Sequence, residues 1–260
     1  MENGKEMARK AQKKTVDRFA VPAGPGGFAI KKRVRSLLES SGFEEALENI
    51  DIAPTKIINP LLGFLLQTDE LSRWRAVRAV GITVSAIARK DIERAREIMR
   101  RLIWSLNDES GGIGWGAPEA MGEIMAENEN LALEYHRILV SYIDENGNPL
   151  ENDLLERGVM WGIGRLAQKR PELLRDWTGP ILVQLKSPDT VKRGLALRTL
   201  LWLARSPQSL PEPGRLAPLL HPLLDDPSEF RTFQDGSFVH CKIDSMAEEL
   251  LRLADFSAET

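Results

Sequence analysis

Four segments of the chain superpose without gaps, and their shared register constrains the fold more tightly than any other feature. Ala76, Ala117, Val159 and Gly194 occupy one column. Ala79, Ala120, Gly162 and Leu197 fill the column three residues on, and Gly81, Gly122, Gly164 and Thr199 the column five on. The segments recur at spacings of 41, 42 and 35 residues, and each is preceded by another apolar helical pattern. Two helices per unit at such a period describe a helical-hairpin solenoid. Glycine inside a helix costs about 1 kcal/mol relative to alanine. Three aligned glycines therefore mark helices that must pack closely against their neighbours.

The pairs read as follows. KIINPLLGFLLQ leads to SRWRAVRAVGITVSAIARK, and DIERAREIMRRLIWSLN to GWGAPEAMGEIMAEN. LALEYHRILVSYID leads to NDLLERGVMWGIGRLAQKRP, and WTGPILVQLKS to PDTVKRGLALRTLLWLARSP. Ahead of them, 29–40 and 42–50 read as two short helices, and the Pro/Gly-rich VPAGPGG at 21–27 as a linker. Residues 5–19 have the composition of a marginal helix that needs a docking surface. Beyond 205 the repeat stops. LAPLLHPLL reads as a short helix broken at Pro222, and EFRTFQDGSFVHCKI alternates around Asp235-Gly236, the signal for a tight hairpin. A last helix follows, capped by Asp244 or Ser245. Three regions result: a basic arm and linker at 1–28, helical repeats at 29–205, and at 206–260 a C-terminal cap that covers the open end of the array.

These columns resemble the HEAT-repeat superfamily, and specifically bacterial proteins with repeats of the phycobilin-lyase HEAT-like type. The resemblance covers roughly 56–205, and SLNDESGGIGWGAPEAMGEI also looks like a segment of bacterial HEAT-repeat proteins. It implies an all-α, right-handed α-α superhelix and a protein-binding or scaffold role rather than a reaction.

Charge is unevenly spread. Residues 1–35 carry ten Lys/Arg against three acidic residues, giving +7. The remainder holds 25 Lys/Arg against 35 Asp/Glu, giving −10. An acidic body argues against binding a phosphate backbone. No run approaches the about 18 apolar residues of a membrane span. The first residues lack the apolar stretch of a secretory signal, so a cytoplasmic setting is expected. A single cysteine, Cys241, excludes an intrachain disulfide framework. His136, His221 and His240 are scattered, and no cofactor or metal is expected.

GIGWGA at 112–117 matches a dinucleotide fingerprint, and the pattern returns at Gly162, Gly164 and Ala167. Both follow helical patterns rather than a strand, so they read as packing glycines. The loop NDESGGIGWGAPE presents Asn107, Asp108, Glu109 and Trp115 on one rim, or else Trp115 plugs the core. Residues two and six after the first column share another helical side: Arg78 and Ile82, Glu119 and Glu123, Trp161 and Arg165, Ala196 and Leu200. Second helices usually line the concave surface of a solenoid. The candidate partner-binding set is therefore Arg78, Trp115, Glu119, Glu123, Trp161 and Arg165. The competing reading is a structural ladder, Arg78–Glu119 and Glu123–Arg165. No catalytic constellation is evident, and His136 reads as a surface position.

A non-enzymatic adaptor gripping a protein or peptide in its groove is the leading expectation. An alternative is a nucleic-acid enzyme such as a HEAT-like DNA alkylation-repair glycosylase, for which Trp104, Asp108, Trp161 and Arg165 offer a loose imitation of the cleft. Another is a lyase-like or chaperone-like accessory for attaching a cofactor to a partner.

Overall fold

A computed structural model describes residues 26–106, 114–206, 210, 211 and 213–258. The expected N-terminal helix at 5–19 and the loop residues Asn107, Asp108 and Glu109 lie outside the described residues. Helices α1 (Gly27–Glu39) and α2 (Phe43–Glu48) open the array. The hairpins follow in order: α3 (Pro54–Phe64) with α4 (Glu70–Ala88), then α5 (Ile92–Leu106) with α6 (Ala117–Glu127). Next come α7 (Glu129–Ser141) with α8 (Asp153–Lys169), and α9 (Thr178–Gln184) with α10 (Thr190–Ala204). A 3₁₀ segment, Pro171–Trp177, leads into α9. After α11 (Pro213–Leu220), strands β1 (Glu229–Gln234) and β2 (Ser237–Lys242) form an antiparallel pair, and α12 (Ile243–Ala258) ends the chain.

Local chemistry starts the second helices. Asp69 accepts from the Ser72 N–H at 2.9 Å, Asn152 from Leu154 at 3.0 Å and Asp189 from Val191 at 2.8 Å. Each satisfies an orphan donor of a helix N-terminus. Helix α6 uses a different device. Gly116 turns into it with φ of 75°, Pro118 occupies its first turn, and a side chain at 116 would press on Leu65.

Helices α4, α6, α8 and α10 lie side by side as one layer, with α3, α5 and α7 packed outside α4, α6 and α8. The small-residue columns fall in the seams of this layer. A Cβ on Gly122 would sit 2.3 Å from the Gly162 Cα, and one on Gly81 would sit 2.9 Å from the Glu123 Cβ. Gly162 is thus a close-packing residue inside α8, not part of a phosphate loop. Gly194 has another cause. The Phe230 ring of β1 occupies the place of its side chain, where a Cβ would come within 2.1 Å.

The expectation that the C-terminal segment only covers the end of the array is corrected in part. Helix α12 packs on α10, as an end cap should. The hairpin instead reaches back over the inner faces of the second helices. Phe233 stacks on Trp74 at 5.4 Å, and Arg231 forms an ion pair with Glu70 at the start of α4. Its turn has Asp235 at φ 47° and Gly236 at φ 84°, as Asp-Gly predicts. Because α12 begins at Ile243, Asp244 and Ser245 lie in its first turn rather than capping it. His136 is also corrected: it is 7% exposed, with Nδ1 2.9 Å from the Ala132 carbonyl.

Candidate functional site

The inner face of the second-helix layer is partly roofed by the hairpin, and this decides what the sequence-derived residues can do. Ala196 and Leu200, expected on the open concave side, are fully buried because β1 and α12 lie against α10. Trp161 is 6% exposed. Its indole N–H donates to the Phe233 carbonyl at 3.0 Å, and its ring packs on Trp74 at 4.7 Å. An open platform at Trp161 is therefore replaced by a partition, Trp161 with Phe233, standing between two clefts.

The first cleft has a volume of about 320 Å³. Along one wall runs a charge network centred on Glu123 of α6, a residue 3% exposed whose carboxylate links Arg78 of α4 to Arg165 of α8. Arg165 Nε donates to Glu123 Oε1 at 2.9 Å and Arg78 to Oε2 at 3.0 Å. Arg78 also binds Glu127, and reaches Glu44 at 3.2 Å. The expected Arg78–Glu119 pair is absent, because Glu119 lies one helical turn earlier on α6 and on the far side of the partition. Glu123–Arg165 is present. Sequence reasoning missed Glu127, which continues the i,i+4 spacing from Glu119 and Glu123. Burial pushes the Glu123 carboxyl upward, against the pull of Arg165 and Arg78. For Glu127 burial acts the same way, but Arg78 and Arg165 outweigh it and hold the carboxyl below its ordinary value.

Opposite this wall stands Arg198, which no sequence pattern singled out. It projects from the inner side of α10 and donates to the Thr232 hydroxyl at 3.2 Å and the Phe233 carbonyl at 3.4 Å. Among the described residues it makes no ion pair, and burial lowers its pKa. Lys169 and Asp235 complete the rim.

The second cleft, of about 230 Å³, lies beyond the partition. Trp115 and Glu119 are here rather than with Arg78 and Arg165. Burial raises the Glu119 carboxyl to about 7, partly offset by its own backbone N–H and by Arg73. The loose glycosylase-like set is not assembled. Trp104 is 74% exposed on α5, in the outer layer, while Trp161 is buried in the inner one. Asp108 is outside the described residues. No group of three or more His, Cys, Asp or Glu among the described residues is placed to hold a metal ion.

No family model matches the chain. A protein of Archaeoglobus fulgidus described as uncharacterized is 32% identical over 126 residues, 48% of this chain and 58% of that protein. The chain thus matches less than two thirds of that relative's length. Among solved structures, a designed armadillo repeat protein in complex with the peptide (KR)4 has a TM-score of 0.53 at 19% identity. That match covers 89% of this chain and 95% of the designed protein. Computationally designed armadillo repeat proteins for modular peptide recognition give 0.50 at 17%, covering 86% and 91%. The chain is a helical-repeat solenoid. At these identities the likeness establishes the fold alone. No helix among the described residues is long and apolar enough to cross a membrane.

Proposed function

We propose that this solenoid is a non-enzymatic binding scaffold whose first cleft holds an extended segment of a protein partner, taking a carboxylate of that segment on Arg198 and Lys169. The observation that carries the reading is Arg198, a half-buried guanidinium that faces the cleft without an ion pair among the described residues, with Asp235 on the rim acting on it only through space. A desolvated charge is costly unless paired, and an incoming carboxylate supplies the pair. Arg78, Glu123 and Arg165 form a wall whose charges already neutralise one another, so they orient rather than attract. The designed armadillo proteins of similar fold, one in complex with a peptide, support peptide binding as a use of this architecture. The finer kinship with phycobilin-lyase HEAT-like repeats of bacteria rests on the sequence columns, and a cytoplasmic setting is proposed with it.

The test is a fluorescence-anisotropy titration with labelled acidic and basic octapeptides, one of alternating Glu and Gly, the other (KR)4. The acidic peptide is expected to bind, with affinity falling as salt rises, and to lose at least ten-fold with Lys169→Glu and Arg198→Gln together. Preference for the basic peptide, or equal binding by the double variant, refutes the assignment.

A further inference from the structure

The second cleft has a feature that peptide binding in the first does not use. Its walls are aromatic: Trp74, Trp115 and Trp161, with Phe233 and Phe238 from the hairpin. At its floor the Glu119 carboxyl lies on the bare backbone of Gly158, where a Cβ would come within 2.7 Å of Oε2. Any other residue at 158 would fill the room the carboxyl occupies. Oε2 is buried and accepts no hydrogen bond from a described residue. A buried acceptor without a donor costs about 1–3 kcal/mol, and in native proteins such a group calls for a reason.

The missing partner is a donor, and the surrounding charges indicate its kind. Arg157 is held by Asp189 at 2.7 Å, and Arg231 is paired to Glu70. Arg73 acts on Glu119 through space but donates no hydrogen bond to it. The cleft's aromatic wall already accepts one cation, since the Arg231 guanidinium lies 4.2 Å from the Phe238 ring centre. The cleft is smaller than the about 300–1,000 Å³ of pockets for drug-sized ligands, so its occupant is a small head group or a single side chain.

We propose that this cleft binds an alkylammonium group, with its N–H donors on Glu119 and its alkyl chain along the indoles of Trp74, Trp115 and Trp161. The site is independent of the Arg198 cleft. The chemistry is shared by a free alkylamine and by a lysine side chain of a polypeptide. Glu119 must be ionised to pair with an ammonium. With its carboxyl at about 7, the ionised fraction rises roughly ten-fold between pH 6 and pH 8. Glu70, Arg73, Arg157 and Arg231 are the other charged groups facing it.

The experiment follows tryptophan fluorescence of the full chain during titration with n-butylammonium chloride and with N-acetyl-lysine amide, against sodium butyrate and n-butanol. Wild type is expected to show saturable binding of butylammonium, about ten-fold tighter at pH 8 than at pH 6, and none of butyrate or butanol. Glu119→Gln is expected to lose at least ten-fold and to become insensitive to pH. Trp115→Leu, which leaves the partition intact, is expected to lose several-fold. Binding of both cations points to a lysine side chain as the natural occupant, and binding of butylammonium alone to a free amine. Absence of saturable butylammonium binding, a pH-independent affinity, equal binding by folded Glu119→Gln, or butyrate binding as well as butylammonium overturns the proposal. If Glu119→Gln does not fold, the wild-type pH profile and Trp115→Leu decide.

Discussion

Replacing Gly122 with alanine puts a methyl group where the backbone of α8 already is. The new Cβ would stand 2.3 Å from the Gly162 Cα and 2.7 Å from the Gly162 carbonyl oxygen. Carbon atoms rest at about 3.5–4.0 Å, so α6 and α8 must part by more than about 1 Å or one of them must bend. Neither neighbour is a flexible side chain that can swing away. Overpacking of this kind costs about 3 kcal/mol, at the upper end of its usual range. Alanine returns about 1 kcal/mol of helix propensity, which leaves a net loss of about 2 kcal/mol. For a chain of this size that lowers the melting temperature by about 4–8 °C. The control is Gly63→Ala in α3, where the new Cβ meets nothing within 4 Å. There only propensity acts, and a gain of up to about 1 kcal/mol is expected. Thermal and urea unfolding followed by circular dichroism measure both variants. A Gly122→Ala protein as stable as wild type, or gaining as Gly63→Ala does, refutes the inference that the glycine column exists for helix contact.

Three further outcomes are expected. Glu123→Gln leaves Arg165 and Arg78 sharing Glu127, and breaking such a buried pair should cost about 3 kcal/mol in urea unfolding; a loss below about 1 kcal/mol would show that the network is incidental. Trp161→Phe removes the hydrogen bond to the Phe233 carbonyl, which keeps only the longer contact from Arg198, and should cost about 1 kcal/mol and speed amide exchange in the hairpin. The raised Glu119 carboxyl gives a pH signature of definite sign. Its folded state holds the proton more tightly than the unfolded chain, so its contribution is complete below about 4.5 and is lost as pH rises through about 7. Wild type should lose up to about 3 kcal/mol relative to Glu119→Gln across that window, and a difference that stays flat between pH 4.5 and 8 contradicts the burial of that carboxyl. The comparison with the variant is needed because Glu123, also raised, changes stability in the same direction, while Glu127, Asp189 and Asp226, all lowered, act in the opposite direction as pH falls below their ordinary values.

The charge network was half legible. Glu123–Arg165 followed from spacing, because residues at matching places on adjacent repeats must lie near one another. The partner of Arg78 did not follow, because which of three carboxylates one turn apart meets a guanidinium depends on the stagger of α4 against α6. Arg198 left no mark in the sequence, since its environment is made by Thr232 and Phe233, residues more than thirty positions away.

What the sequence determined by itself was everything set by local periodicity and steric demand. Helical hairpins follow from apolar spacing, close inter-helix seams from recurring small residues, and the tight turn at Asp235-Gly236 from the backbone angles that few other residue pairs accept. The tertiary structure alone decided where the hairpin lies. Its strands read as amphipathic whichever surface they cover, and nothing local distinguishes the end of the array from its inner face. The choice was made by the empty space over Gly194 that receives Phe230 and by the Trp74–Trp161 pair that receives Phe233. Those contacts join residues 36 to 159 positions apart, and they turn one expected groove into two clefts with different chemistry.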